Sequence, residues 1–278
     1  MINTTIQCAC RELKLDSPIV MGILNVTPDS FSDGGLFNHV ETALRQAEKM
    51  LADGALIIDI GGKSTRPGAK SVSESKELDR VIPIIEKIHQ ELDVITSIDT
   101  SKAVIMKEAA NAGVEMINDV MALRADGALD AALQTGLPVC LMHMKGEPRT
   151  MQSEPQYADV ACEVKDFLTQ RIEQCLAQGI KKEQIIIDPG FGFGKTLAHN
   201  VTLFKQLGAF KELGFPVLVG ASRKSMIGQI TGKSIEERLA GSLALATLAA
   251  INGAAIIRVH DVAETVDAIK IANALTYM

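Results

Sequence analysis

The sequence predicts an α/β protein, a (β/α)8 TIM barrel in a single domain over residues 1–278. Three observations point there. Eight short apolar runs recur along the chain, each ending in polar or glycine residues. Segments with helical spacing separate them. The runs begin between positions 19 and 254, so the mean period is about 34 residues, the size of one strand–helix unit. An open doubly wound sheet fits this regular eightfold alternation less well.

The elements follow in order. Residues 4–16 alternate partially and read as a short hairpin-like lead-in that plugs the N-terminal mouth of the barrel. The strand runs are 19-IVMGILNV-26, 55-ALIIDIGG-62, 94-VITSIDT-100, 116-MINDV-120, 138-PVCLMHM-144, 185-IIIDPGFG-192, 217-VLVGAS-222 and 254-AAIIRVHD-261. Their β-branched content and near-continuous apolarity suit strands covered on both faces, as in parallel sheets. Helices are predicted over 41–53, 74–92, 102–112, 126–135, 157–178, 199–213, 235–252 and 262–275. In 78–92 the apolar residues Leu78, Val81, Ile82, Ile85, Ile88 and Leu92 follow steps of three and four. Pro83 interrupts that pattern and predicts a shifted start or a kink. Gly179, Gly208, Gly214 and Gly253 fall where helix C-termini are expected.

Composition narrows the function. Charged residues are 22% and hydrophobic residues 47%, the balance of a folded domain rather than a disordered chain. The net charge of −6 argues against a nucleic-acid binder. No apolar run is long enough for a membrane span, and no signal layout opens the chain, so a cytoplasmic protein is expected. Five cysteines without a CxxC pair read as reduced thiols.

In this barrel class the C-terminal strand ends share one mouth. The polar residues there are Asn25, Asp59, Asp99, Asn118, His143, Asp188, Ser222, Arg258 and His260. Helix capping is the plain alternative for each Asp, Asn or Ser. Thr100 and Ser101 are available to cap after Asp99, and Asp188 lies well before the next helix, so neither aspartate is needed as a cap. Carboxylates and an amide accept hydrogen bonds and suit a heterocycle rich in N–H donors, such as an aminopyrimidinone ring. The cations Arg66, Arg223, Lys224, Arg258 and His260 suit an anionic tail, phosphate or pyrophosphate, with Mg²⁺ as its companion. Met142 reads as an apolar wall. The glycine-rich 190-GFGFGKT-196 is not a nucleotide loop, because Pro189 and Lys195 stand where those motifs require glycine.

These residues lie in stretches that resemble the dihydropteroate synthase family over nearly the whole chain. The stretches are 21-MGILNVTPDSFSDGG-35, 59-DIGGKSTRPGA-69, 97-SIDTSK-102, 116-MINDV-120, 141-LMHM-144, 188-DPGFGFGK-195, 220-GASRKSMIG-228 and 257-IRVHDV-262. The resemblance implies a barrel that joins 6-hydroxymethyl-7,8-dihydropterin pyrophosphate to para-aminobenzoate, giving 7,8-dihydropteroate and pyrophosphate. It implies that Asp99, Asn118, Asp188 and Lys224 hold the pterin, Arg258 stacks on it, and Met142 and Phe193 line its pocket. It assigns Asn25 to a Mg²⁺–pyrophosphate, and Arg258 and His260 to the phosphate oxygens. Thr65, Arg66, Pro67, Phe31 and Ser222 would shape the para-aminobenzoate site. It also implies lids over 27–40 and 61–73, a cytosolic homodimer, small-molecule substrates and sulfonamide binding. One position departs: Lys63 stands where the family carries Glu in G-G-E-S-T-R-P-G, and Lys63→Glu is expected to be neutral or beneficial. Two rivals are a methyltetrahydrofolate–corrinoid methyltransferase, which lacks the first-loop and S-R-K-S motifs, and a non-catalytic pterin-binding protein.

Overall fold

The structure is a computed structural model that describes residues 5–26, 36–63, 72–146, 151 and 154–277. Strands β1 (Thr5–Cys8) and β2 (Arg11–Lys14) form an antiparallel hairpin in which Ile6 faces Leu13. Eight parallel strands follow: β3 (Ile19–Asn25), β4 (Ile57–Gly61), β5 (Ile95–Asp99), β6 (Met116–Asp119), β7 (Val139–Met142), β8 (Ile185–Asp188), β9 (Leu218–Val219) and β10 (Ile256–Val259). Their order is β8-β7-β6-β5-β4-β3-β10-β9. A parallel bridge between Ile187 and Val217, with Ile187 N–H donating to the Pro216 carbonyl at 3.0 Å, joins the two ends into a barrel.

Period-2 alternation divides each strand between two environments. Ile58, Ile60, Ile98, Ile117, Val139, Leu141, Ile185, Ile187, Val219 and Ile257 pack outward into the layer shared with the helices. Ile19, Met21, Ile57, Ile95, Met116, Cys140, Ile186, Leu218 and Ile256 form a separate inner cluster with Ile6, Cys8, Leu13 and Leu15. The lead-in hairpin therefore does stopper the N-terminal end of the barrel with apolar side chains. Above that floor the same inward positions turn polar: Asp59 on β4, Ser97 and Asp99 on β5, Asn118 on β6, Asp188 on β8 and Arg258 on β10.

The described helices are α1 (Leu36–Ala52), α2 (Glu74–Glu91), α3 (Ala103–Asn111), α4 (Ala128–Thr135), α5 (Val160–Ala177), α6 (Leu197–Lys205), α7 (Ser225–Thr231), α8 (Leu239–Ile251) and α9 (Val262–Tyr277). Side-chain oxygens of Ser73, Asp159 and Thr196 cap α2, α5 and α6. Three expectations need correction. Helix α2 starts at Glu74 and continues through Pro83, so its start is not shifted; Pro83 and Asp79, whose carbonyl loses its partner there, are both exposed, so water can replace the missing bond. Gly208 lies inside a 3₁₀ turn (Leu207–Leu213) rather than at a helix end, whereas Gly179, Gly214 and Gly253 have the positive φ of a C-terminal glycine. Helix α7 was not expected: at seven residues between Lys224 and Gly232 it is too short to show a period.

Candidate active site

The carboxylates at the mouth are built into the strands. Asp59 is fully buried and Asp99 nearly so. Arg258 reaches across from β10, donating Nε to Asp59 Oδ2 at 2.6 Å and Nη2 to Asp99 Oδ2 at 3.0 Å. Asn118 donates Nδ2 to the same Asp59 oxygen at 3.0 Å. Each carboxylate keeps one buried oxygen, Asp59 Oδ1 and Asp99 Oδ1, without a protein partner. Burial raises the Asp99 pKa to about 6, against the opposing pull of Arg258. Neither aspartate caps a helix. Thr100 does not cap α3 either: the N-cap is Lys102, and the Thr100 hydroxyl donates to Glu77 at 2.7 Å. Asp119 instead binds the backbone N–H groups of Met121 and Leu123, fixing the turn that leaves Asn118 facing inward.

A second group forms where β8 and β9 end. Asp188 accepts from Gly190 N–H at 2.7 Å, and burial raises its pKa. Lys224 donates Nζ to the Phe191 carbonyl at 2.7 Å and lies 4.0 Å above the Phe193 ring. Burial lowers its pKa to about 8, although the Asp188 charge opposes the shift. Arg223, just before it, has φ +54°. This left-handed residue turns the chain sharply between Ser222 and Lys224, a conformation that concentrates at functional sites. A Cβ on Gly190 would strike the His143 carbonyl, so the loop after β8 can lie against the end of β7 only with glycine there. Met142 and Phe193 meet in a small apolar cluster with Val120, Met144 and Met151.

The rim completes the picture. Ser222 Oγ lies 3.1 Å from His260 Nδ1, joining the ends of β9 and β10. A Cβ on Gly61 would sit 3.7 Å from Asp99 Cβ and 3.8 Å from Asn25 Oδ1, which places Asn25 beside the carboxylates. Lys63 is half-buried, and its charge lowers the pKa of both Asp99 and Asp119. Both stems of the segment after β4 are tied down: Arg80 donates to the Gly62 carbonyl at 2.8 Å and Lys102 to the Val72 carbonyl at 2.5 Å. Phe31, Thr65, Arg66 and Pro67, and most of the two lid segments, lie outside the described residues.

Of the predicted residues, Asn25, Asp99, Asn118, Met142, Asp188, Phe193, Ser222, Lys224, Arg258 and His260 all fall at this one end. The Arg223 guanidinium is paired with Asp261 at 2.9 and 2.5 Å. Asp59 was noted as a strand-end residue but not selected; its role emerges only from the register that sets it one layer below Gly61 and beside Arg258. Lys195 was also passed over, as part of a failed nucleotide motif. Among the described residues, no group of three or more His, Cys, Asp or Glu side chains is arranged to hold a metal. All five cysteines are free thiols.

The fold and site define a barrel enzyme that recognises a polar, N–H-rich ring. The pterin binding enzyme family model matches residues 21–260, and the chain belongs to that family. Within it, the relatives are dihydropteroate synthases. That of Escherichia coli (strain K12) is 54% identical over 262 residues, covering 94% of this chain and 93% of the relative. The Yersinia pestis dihydropteroate synthase, solved with a sulfonamide drug complex, matches with TM-score 0.94 and 52% identity over 99% of this chain and all of that one. The Xanthomonas albilineans enzyme, solved with 4-aminobenzoic acid, matches with TM-score 0.93 and 50% identity over 99% of both chains.

Proposed function

We propose that this site condenses 6-hydroxymethyl-7,8-dihydropterin pyrophosphate with para-aminobenzoate to give 7,8-dihydropteroate and pyrophosphate. The observation that carries the reading is the pair of buried carboxylates with unpartnered oxygens, at inward strand positions shared with Arg258 and near Lys224. Unsatisfied buried acceptors are costly unless a ligand's donors meet them, and a pterin ring offers such donors.

In this reading Asp99, Asn118, Asp188 and Lys224 hold the ring, Arg258 stacks on it, and Met142 and Phe193 wall it. Asp59 fixes Arg258 and Asn118 from below. The bond from the pterin methylene carbon to the pyrophosphate oxygen breaks, and its electron pair leaves with the diphosphate. Positive charge develops on the methylene carbon and the conjugated ring, where Asp99 and Asp188 offset it. The aniline nitrogen then forms the new C–N bond and releases a proton. Arg258 and His260 stabilise the departing anion, and Ser222 orients His260. Thr65, Arg66, Pro67 and Phe31 complete the para-aminobenzoate site, with segments 27–40 and 61–73 excluding water.

A Mg²⁺ ion fits the donor set. Magnesium takes hard oxygen ligands, retains several waters, and is bound through substrate phosphates with one or two protein groups. Asn25 Oδ1 supplies such an oxygen beside Asp99. When bound, the ion would supply charge neutralisation of the diphosphate.

The same reading extends to sulfonamides as para-aminobenzoate mimics, to a cytoplasmic location and to a homodimer. Exposed Leu248 and Ile251 on α8, and Ile271 and Leu275 on α9, support pairing with a second copy. No described helix is long and apolar enough to cross a membrane. The deciding assay is pyrophosphate release with both substrates and Mg²⁺. Release that requires para-aminobenzoate is expected; pterin binding without release would leave only a binding protein.

A further inference from the structure

Lys195 is almost completely buried, with 3% of its surface exposed. Among the described residues, no carboxylate bonds its ammonium. Its acceptors among the described residues are His143 Nδ1 at 2.9 Å, the Gly190 carbonyl at 2.8 Å and the Phe193 carbonyl at 3.2 Å. To accept from an ammonium, His143 must be neutral at Nδ1. Burial and the nearby Lys195 charge push the His143 pKa far down, in keeping with that state. Burial likewise pushes the lysine below its ordinary value, while the Asp188 charge resists. An interior lysine is expensive, and a packing role alone would be met by an apolar side chain.

The carbonyls it binds belong to the loop that builds one wall of the site. That loop contributes Gly190 N–H to Asp188, and Phe191 O and the Phe193 ring to Lys224. The loop is not held by regular secondary structure, and its glycines at 190, 192 and 194 all have positive φ. A single cation clamping Gly190 and Phe193 fixes the path between them, and its contact to His143 fixes that path against β7.

We propose that Lys195 is a positioning residue of the pterin site, clamping loop 190–193 to the end of β7 so that the loop holds Lys224 and Asp188 in their binding geometry. The inference rests on the reaction proposed above and adds to it a residue that never touches substrate. Small misplacements of binding groups cost up to about 10²-fold in rate, so an effect at a distance is chemically reasonable.

The test compares wild type with Lys195→Met and His143→Phe in steady-state pyrophosphate release, varying each substrate in turn. Wild-type release tests the reaction itself, so its absence would count against that reading and not against the clamp; pterin binding would then replace KM as the readout. For Lys195→Met we expect KM for the pterin substrate to rise about 10-fold or more, KM for para-aminobenzoate to stay near wild type, and circular dichroism to be unchanged. His143→Phe keeps the ring but removes one acceptor, so it should shift the same KM in the same direction by less. The proposal is overturned if kcat falls with both KM values unchanged, or if both KM values rise together. Should Lys195→Met fail to fold, an unaltered pterin KM in His143→Phe overturns it equally.

Discussion

The two ends of the barrel are made from the same strands and treat polarity in opposite ways. At the N-terminal end, Ile57, Ile95, Met116, Ile186 and Ile256 close against the hairpin's Ile6, Cys8 and Leu13 in a buried apolar cluster. One or two inward positions further along the same strands stand Asp59, Asp99, Asn118, Asp188 and Arg258, two of them with buried oxygens lacking partners. The first end gains stability from burial. The second gives stability up to hold groups ready for a ligand. The difference teaches that substitutions at the two ends should separate cleanly into those that unfold the protein and those that silence it.

The sharpest contrast comes from single changes at each end. Asp99→Asn and Lys224→Ala are each expected to lower turnover by roughly 10²–10³-fold with the fold intact, the scale of a lost transition-state contact. Equal activity in either variant, measured by pyrophosphate release, removes that residue from the mechanism. At the other end, Ile57→Ala should cost about 2–5 kcal/mol of stability by opening a cavity, with kcat/KM per folded molecule unchanged. Chemical denaturation beside active-site titration checks this, and an activity loss without a stability loss would break the contrast.

The pH dependence is the next test. Asp99 must be ionised and Lys224 protonated for the roles given to them, and their values stand at about 6 and about 8. A bell-shaped kcat/KM profile should follow, with its acid limb near the first and its basic limb near the second. The stability signs follow from the same shifts. Between 3.8 and about 6 the folded state binds more protons at Asp99 than the unfolded state, so its contribution weakens as pH rises through that window. Between about 8 and 10.5 the unfolded state binds more at Lys224, so that contribution strengthens as pH rises. Asp99→Asn should flatten the acid window in pH-dependent unfolding; an unchanged slope would show the carboxylate is not the group responsible.

The smallest effect is expected at Lys63. Its positive charge lowers the Asp99 pKa, so Lys63→Glu should move the acid limb upward while leaving kcat/KM at pH 8 unchanged or higher. A sharp fall at pH 8 would mean that Lys63 contacts substrate directly.

Much of this arrangement was legible in the chain. Continuous apolar runs gave the parallel strands because both of their faces are covered, by the inner floor and by the helices. The polar residue closing each run marked the mouth, because only there can an inward side chain leave the apolar layers. The pairing of Arg223 with Asp261 was not legible, because its sequence neighbours do not disclose a partner 38 residues away. Strand β9 shortened to two residues, and α7 was missed because one period does not fit within it.

Residue order by itself determined the alternation, the period of the units and the chemical type of each strand end, since these follow from backbone geometry and from which side chains leave water. Tertiary structure alone decided that Asp59 lies beneath Arg258, a partner 199 residues distant, and that Lys195 is buried under the loop it follows. Such pairings depend on sheet register and on the closing of the barrel. Those are set by packing of the whole chain, and no short stretch of it carries them.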